Sequence, residues 1–131
     1  MKTPTQHNET NKFVDVNKHK VVMQVTQSDA LNQLSVISQL KNIKAALPNA
    51  EIKVVVHSQG LEMLVESRSK VRQHIEELSR QQLSFIVCEN TMSRQKVSQE
   101  DLIKGVATVP SGLVEIILKQ KEGWSYIKGG V

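Results

Sequence analysis

The 131-residue chain has the length of one ordinary domain. With 39% apolar and 23% charged residues, it has neither the composition of a disordered segment nor an apolar run near the ~18 residues of a membrane helix. Its net charge of +4, from 17 Lys and Arg against 13 Asp and Glu, permits anionic ligands without arguing for nucleic acid.

Residues 1–18 hold few apolar positions and no period, so they read as a flexible N-terminal tail that Phe13, Val14 and Val16 could pin. The tail lacks the hydrophobic stretch of a secretory signal, and a soluble, cytoplasmic protein is expected. Residues 19–131 read as one domain. Its apolar content is almost wholly aliphatic, 17 Val, 11 Leu and 9 Ile in the chain against Phe13, Phe85, Trp124 and Tyr126, which suits buried strands.

KVVMQV (20–25) is a short strand, followed by Ser28 or Asp29 as a helix cap. Leu31, Leu34, Ile37, Leu40, Ile43 and Leu47 recur at helical spacing as one apolar stripe, which Pro48-Asn49 stops. EIKVVVH (51–57) is a second strand, and its run of valines suggests burial on both faces. A short helix over 60–67 and a second stripe at Val71, Ile75 and Leu78 lead to a third strand, LSFIVCE (83–89). Glu89-Asn90-Thr91 reads as a polar loop, and Ser98–Asp101 opens a helix that Gly105 ends. VATVP (106–110), an amphipathic helix from Ser111 through Leu118, and WSYIK (124–128) complete the order. Strands alternating with helices predict a three-layer α/β/α domain with a mainly parallel sheet of about five strands. Leu113, Ile117, Trp124 and Ile127 are apolar positions that a monomer would expose.

Ligands of open parallel sheets gather at the carboxyl ends of strands, beside helix N-termini. Three such ends carry polar or reactive groups: Thr26-Gln27-Ser28, His57-Ser58-Gln59-Gly60 and Cys88-Glu89-Asn90-Thr91. Cys88, the only cysteine, excludes an internal disulfide and a multi-cysteine metal site. As a thiolate it is a nucleophile; as a buried thiol it is a small hydrophobe, and position alone favours the second reading. His57 is either a loop anchor or a neutral base or donor beside Cys88. His7, His19 and His74 share no ligand spacing, so no metal is expected. No GxGxxG, GxxxxGK[ST] or GxSxG occurs, which argues against a nucleotide cofactor or a serine hydrolase. Few aromatics are available to stack bases, so no nucleic-acid partner is expected.

The segments VVVHSQGLEML, FIVCENTM and LIKGVATVPSGLVEIILKQKEGWSYIK resemble the DsrE/DsrF-like family over roughly residues 20–128. The last segment is the most specific, through Val109-Pro110-Ser111-Gly112, Gln120, Glu122-Gly123-Trp124 and Tyr126-Ile127-Lys128. His57 matches the strand-end histidine of the family, with Ser58 where glycine is usual. The resemblance implies a compact α/β/α fold and a homo-oligomer, trimer or hexamer. It also implies sulfur relay, with sulfur carried as a persulfide on the cysteine after the third strand, Cys88, and with separate sulfur donor and acceptor proteins. On that reading Cys88 and His57 do the chemistry, and Gln27, Gln59, Asn90 and Thr91 line the ligand site. The competing reading is an oligomeric module that binds a small anion at the same strand ends without covalent chemistry.

Overall fold

A computed structural model describes residues 5–7 and 13–131. Thr5–His7 (β1) and Phe13–Asp15 (β2) pair antiparallel as a small separate ribbon. Residues 1–4 and 8–12 of the expected tail lie outside the described residues.

The remaining strands are β3 (Lys20–Val25), β4 (Glu51–Val56), β5 (Leu83–Cys88), β6 (Ala107–Val109) and β7 (Ser125–Lys128). They form one all-parallel sheet in the order β6-β5-β4-β3-β7. The helices are α1 (Ala30–Ala46), α2 (Arg72–Leu78), α3 (Glu89–Gln95) and α4 (Gly112–Lys121), with 3-10 turns at Ser58–Leu64 and Gln99–Asp101. This is the expected α/β class. Among the described residues no helix is long and apolar enough to cross a membrane.

The two faces of the sheet are covered unequally. Val21, Met23 and Val25, Ile52, Val54 and Val56, and Leu83, Phe85 and Val87 belong to the large core, with Val36, Ile37 and Leu40 of α1 and Ile75 and Leu78 of α2. On the opposite face Val22, Val55 and Ile86 meet only Ile116 and Trp124, with Val109 at the margin. There α4 crosses back from β6 at one edge to β7 at the other, lying against β3, β4, β5 and β7. Each buried aliphatic side chain stabilises by roughly 1.5–3 kcal/mol, so this thin second layer depends on few residues.

Several local expectations are corrected. The buried stripe of α1 is turned away from Leu31 and Leu34, which are exposed, and takes in Asn32 and Gln33. Hydrogen bonds decide that rotation. Gln33 donates to the Ser28 carbonyl at 2.7 Å and accepts from the Lys70 N–H at 2.8 Å. Asn32 accepts from the Val131 N–H at 2.9 Å, which leaves both buried amides satisfied. Asp29 supplies the cap, accepting from the Asn32 N–H at 3.1 Å.

Glu89-Asn90-Thr91 is not a loop but the first turn of α3, for which Cys88 is the N-cap. Only Thr91 and Met92 of that helix are buried, so its apolar period is too short to read. The helix expected after Ser98 is a single 3-10 turn, closed by the Asp101 carboxylate accepting from the Ser98 N–H at 2.9 Å. The helix expected over 60–67 is likewise the 3-10 turn at Ser58–Leu64. Trp124 is buried beneath α4 rather than exposed, and Ile127 packs against the large core. Leu113 and Ile117 are exposed, at 57% and 61%.

Candidate functional site

Alternation along the strands selects what faces α4. On β5 these are Ser84, Ile86 and Cys88, on β4 Lys53 and Val55 with His57 just beyond, and on β3 Val22 and Gln24. The apolar members meet Ile116 in the middle of the layer. The polar members emerge at the carboxyl ends, where α4 begins at Gly112. A hollow of about 600 Å³ opens there, lined by His57, Ser58, Cys88, Asn90, Thr91, Ser93, Arg94, Ser111 and Leu113.

Cys88 is 6% exposed at its floor. Burial pushes its thiol pKa up and is the largest single influence. The backbone N–H groups of Gly112, Thr91 and Asn90 and the Thr91 hydroxyl together outweigh it, so the pKa lies below the ordinary thiol value. Hydrogen bonds to the charged form account for that sign. Glu89, whose negative charge would oppose the thiolate, is exposed and accepts instead from the Thr108 hydroxyl at 2.7 Å.

The His57 ring is held at both nitrogens. Nε2 lies 2.8 Å from the Gln24 side-chain amide nitrogen, and Nδ1 lies 2.9 Å from the Ser58 hydroxyl. The Tyr126 hydroxyl in turn donates to the Gln24 amide oxygen. Burial lowers the His57 pKa, and the charges of Lys128 and Arg94 lower it further, so the neutral imidazole is favoured. Ser58 adopts a left-handed φ of 57°, a conformation that suits glycine and costs a serine about 1–2 kcal/mol. Its backbone is clamped on both sides: its N–H donates to Thr91 Oγ1 at 3.1 Å, and its carbonyl accepts from Gln95 Nε2 at 2.9 Å.

Of the residues singled out from sequence, Cys88, His57, Asn90 and Thr91 share this hollow. Gln27 and Gln59 do not line it. They face a neighbouring hollow with Ser28, Asp29, Glu62 and Gln95. Sequence reasoning missed Gln24 and Tyr126, although strand alternation puts Gln24 beside Val22 on the α4 face as a polar residue without an obvious solvent role. It also missed Arg94, which the loop reading of 89–91 left unplaced. No cluster of three or more His, Cys, Asp or Glu that could hold a metal occurs among the described residues.

A family model described as the DsrE/DsrF-like family matches residues 18–128. Among solved structures, a protein of unknown function from Methanobacterium thermoautotrophicum, MTH1491, is similar at 34% identity and a TM-score of 0.80. The match covers 84% of this chain and 98% of that one. The ychN protein from E. coli is similar in fold, with a TM-score of 0.69 at 16% identity over 84% of this chain and 98% of its own. No curated protein matches the chain.

Proposed function

The chain belongs to the DsrE/DsrF-like family, and from that premise and the Cys88 hollow we propose that it carries sulfur as a persulfide on Cys88. Membership of the family supports a general role in sulfur metabolism. The observation that carries the finer reading is the place of Cys88, N-cap of α3 and packed against Gly112 at the start of α4, where N–H groups of these two helix starts lower its pKa. A sulfur anion is what such a place stabilises.

The transfer balances without an external oxidant. The Cys88 thiolate attacks the outer sulfur of a donor persulfide, R–S–SH. A new S–S bond forms, the donor S–S bond breaks, and its electron pair leaves with the donor thiolate. An acceptor thiolate then attacks the outer sulfur on Cys88 and the Cys88 thiolate departs. Cys88 is the only cysteine, so donor and acceptor thiols must come from other molecules. His57, Asn90 and Arg94 supply the polar and cationic wall of the hollow.

The working form is a homo-oligomer, trimer or hexamer. Leu113, Val114, Ile117 and Leu118 are exposed on α4, and an apolar stripe of that kind marks an interaction surface. Leu113 also lines the Cys88 hollow, so a neighbouring copy seated on α4 would border the site.

Mass spectrometry of the intact protein after incubation with a persulfide donor tests the reading. The expected result is a gain of one sulfur atom, reversed by a thiol acceptor and abolished in Cys88→Ser. An unmodified wild-type protein would overturn it. Retained thermal stabilisation by small anions in Cys88→Ser, with no sulfur uptake in wild type, would favour the anion-binding module instead.

A further inference from the structure

The hydrogen bonds around His57 form a chain from Tyr126 through Gln24 and the ring to Ser58. Tyr126 donates its hydroxyl proton to the Gln24 amide oxygen. The amide stands with its oxygen on Tyr126 and its NH2 group on His57 Nε2, 2.8 Å away. A ring nitrogen that receives an N–H cannot itself carry a proton. The imidazole proton must then sit on Nδ1, which lies 2.9 Å from Ser58 Oγ and donates to it. Ser58 Oγ thereby accepts from the ring instead of donating to it, and its own proton is available to another acceptor. Ser58 lines the hollow that holds Cys88.

We infer that Tyr126, Gln24 and His57 form a one-way relay that fixes the imidazole as its neutral Nδ1–H tautomer and turns the Ser58 hydroxyl into a donor for an anionic sulfur on Cys88. Gln24 and Tyr126 are positioning residues, and Ser58 is the group that meets the ligand. The Ser58 part rests on the sulfur-carrying reading; the tautomer does not.

The cations around the ring favour a neutral His57, and a Cys88 thiolate opposes them. Lys128 acts on His57 from β7 and Arg94 from α3, and Cys88 of β5 lines the same hollow as the ring. Two of these are cations, and the Gln24 NH2 would oppose an Nε2 proton directly. The strained φ of Ser58 fits the same picture, since backbone strain concentrates where a side chain must be placed for function.

The test is nitrogen NMR of the full chain labelled at histidine, followed across pH. The expected wild-type spectrum shows His57 protonated on Nδ1 and bare on Nε2. Ser58→Ala keeps that tautomer, because Gln24 imposes it, yet slows sulfur uptake by about tenfold, the loss expected for one hydrogen bond to an anion. Tyr126→Phe frees the amide to turn over, so the Nε2–H form becomes populated. Gln24→Glu places a carboxylate against Nε2 and raises the pKa at which His57 gains its second proton. A wild-type His57 protonated on Nε2, or a tautomer unchanged in Tyr126→Phe, would overturn the relay. Uptake unchanged in Ser58→Ala would overturn the donor role. Failure of wild-type protein to take up sulfur sinks the persulfide reading, and the histidine spectrum still decides the relay.

Discussion

Gly112 presses against Cys88: a methyl group added at Gly112 would lie 3.2 Å from the Cys88 Cβ, with Val55 Cγ1 at 3.3 Å and the His57 Cβ at 3.4 Å. The close approach brings the Gly112 N–H to the thiol and starts α4 against β4 and β5 at once. A side chain here would force the helix start off the sheet by a few tenths of an ångström. Gly112→Ala is therefore expected to cost about 1–3 kcal/mol from overpacking and to raise the Cys88 pKa by weakening one of its donors. Urea denaturation and the pH profile of Cys88 alkylation read the two effects separately. An unchanged profile would show that the Gly112 N–H does not hold the thiolate.

Thr91 links the thiol to the Ser58 clamp, since its buried hydroxyl lowers the Cys88 pKa and accepts from the Ser58 N–H at 3.1 Å. Thr91→Val keeps the shape but leaves that N–H unpaired, which costs about 1–3 kcal/mol. The linkage sign follows from the lowered thiol pKa. Between the folded value and the ordinary value of 9.0, the unfolded chain holds more protons at Cys88 than the folded one. Cys88 thus contributes stability that is complete above pH 9.0 and is lost as pH falls through the folded value. Wild-type stability should rise relative to Cys88→Ser over that window, and the rise should shrink in Thr91→Val. Cys88 should also alkylate in the folded protein faster than a model thiol at neutral pH; a thiol inert until unfolding would leave it a buried hydrophobe.

The strands and the parallel sheet were legible because Val54, Val55 and Val56, or Phe85, Ile86 and Val87, can be buried continuously only between two layers. Cys88 and His57 were legible because both end such runs. The rotation of α1 was not, since it is set by Gln33 and Asn32, whose partners Lys70 and Val131 are distant in sequence. Strand order was hidden for a similar reason. The return of α4 across the sheet to put β7 beside β3 depends on contacts such as Trp124 against Val22 and Val55. Gln24 and Tyr126 escaped notice because their meaning lies in a pairing across 102 positions of sequence.

His57 gives the chain an acid-side dependence. Its pKa is lowered by burial, then by Lys128 and Arg94, from the ordinary 6.5. Below pH 6.5 the unfolded chain takes up a proton that the folded chain refuses until the folded value is reached. Stability from this residue is therefore complete above that ordinary value and falls as pH drops through the window beneath it. The slope is at most about 1.4 kcal/mol per pH unit, and partial solvent exposure keeps it lower. His57→Gln should flatten the curve of unfolding free energy on the acid side relative to wild type. Parallel curves would mean that His57 titrates normally in the folded protein.

The exposed face of α4 carries the last expectation. Leu113, Val114, Ile117 and Leu118 are spaced to share one side of the helix, and all four remain exposed while Ile116 alone turns inward with Gly112. An isolated chain gains nothing from that arrangement, because Ile117 contributes neither to the Val22–Val55–Ile86 layer nor to a turn. Burying two such faces against each other would release water from both without unfolding either copy. The protein is expected to sediment as a multiple of its 14.7 kDa mass, and Ile117→Glu should reduce it to single folded chains by setting like charges in the seam. Leu31→Glu, on the exposed side of α1, should leave the assembly intact. Since Leu113 borders the Cys88 hollow, dissociation by Ile117→Glu should also speed alkylation of Cys88 by opening one wall. A wild-type chain that sediments at 14.7 kDa at micromolar concentration, or an Ile117→Glu variant of unchanged size, would rule out α4 as the seam.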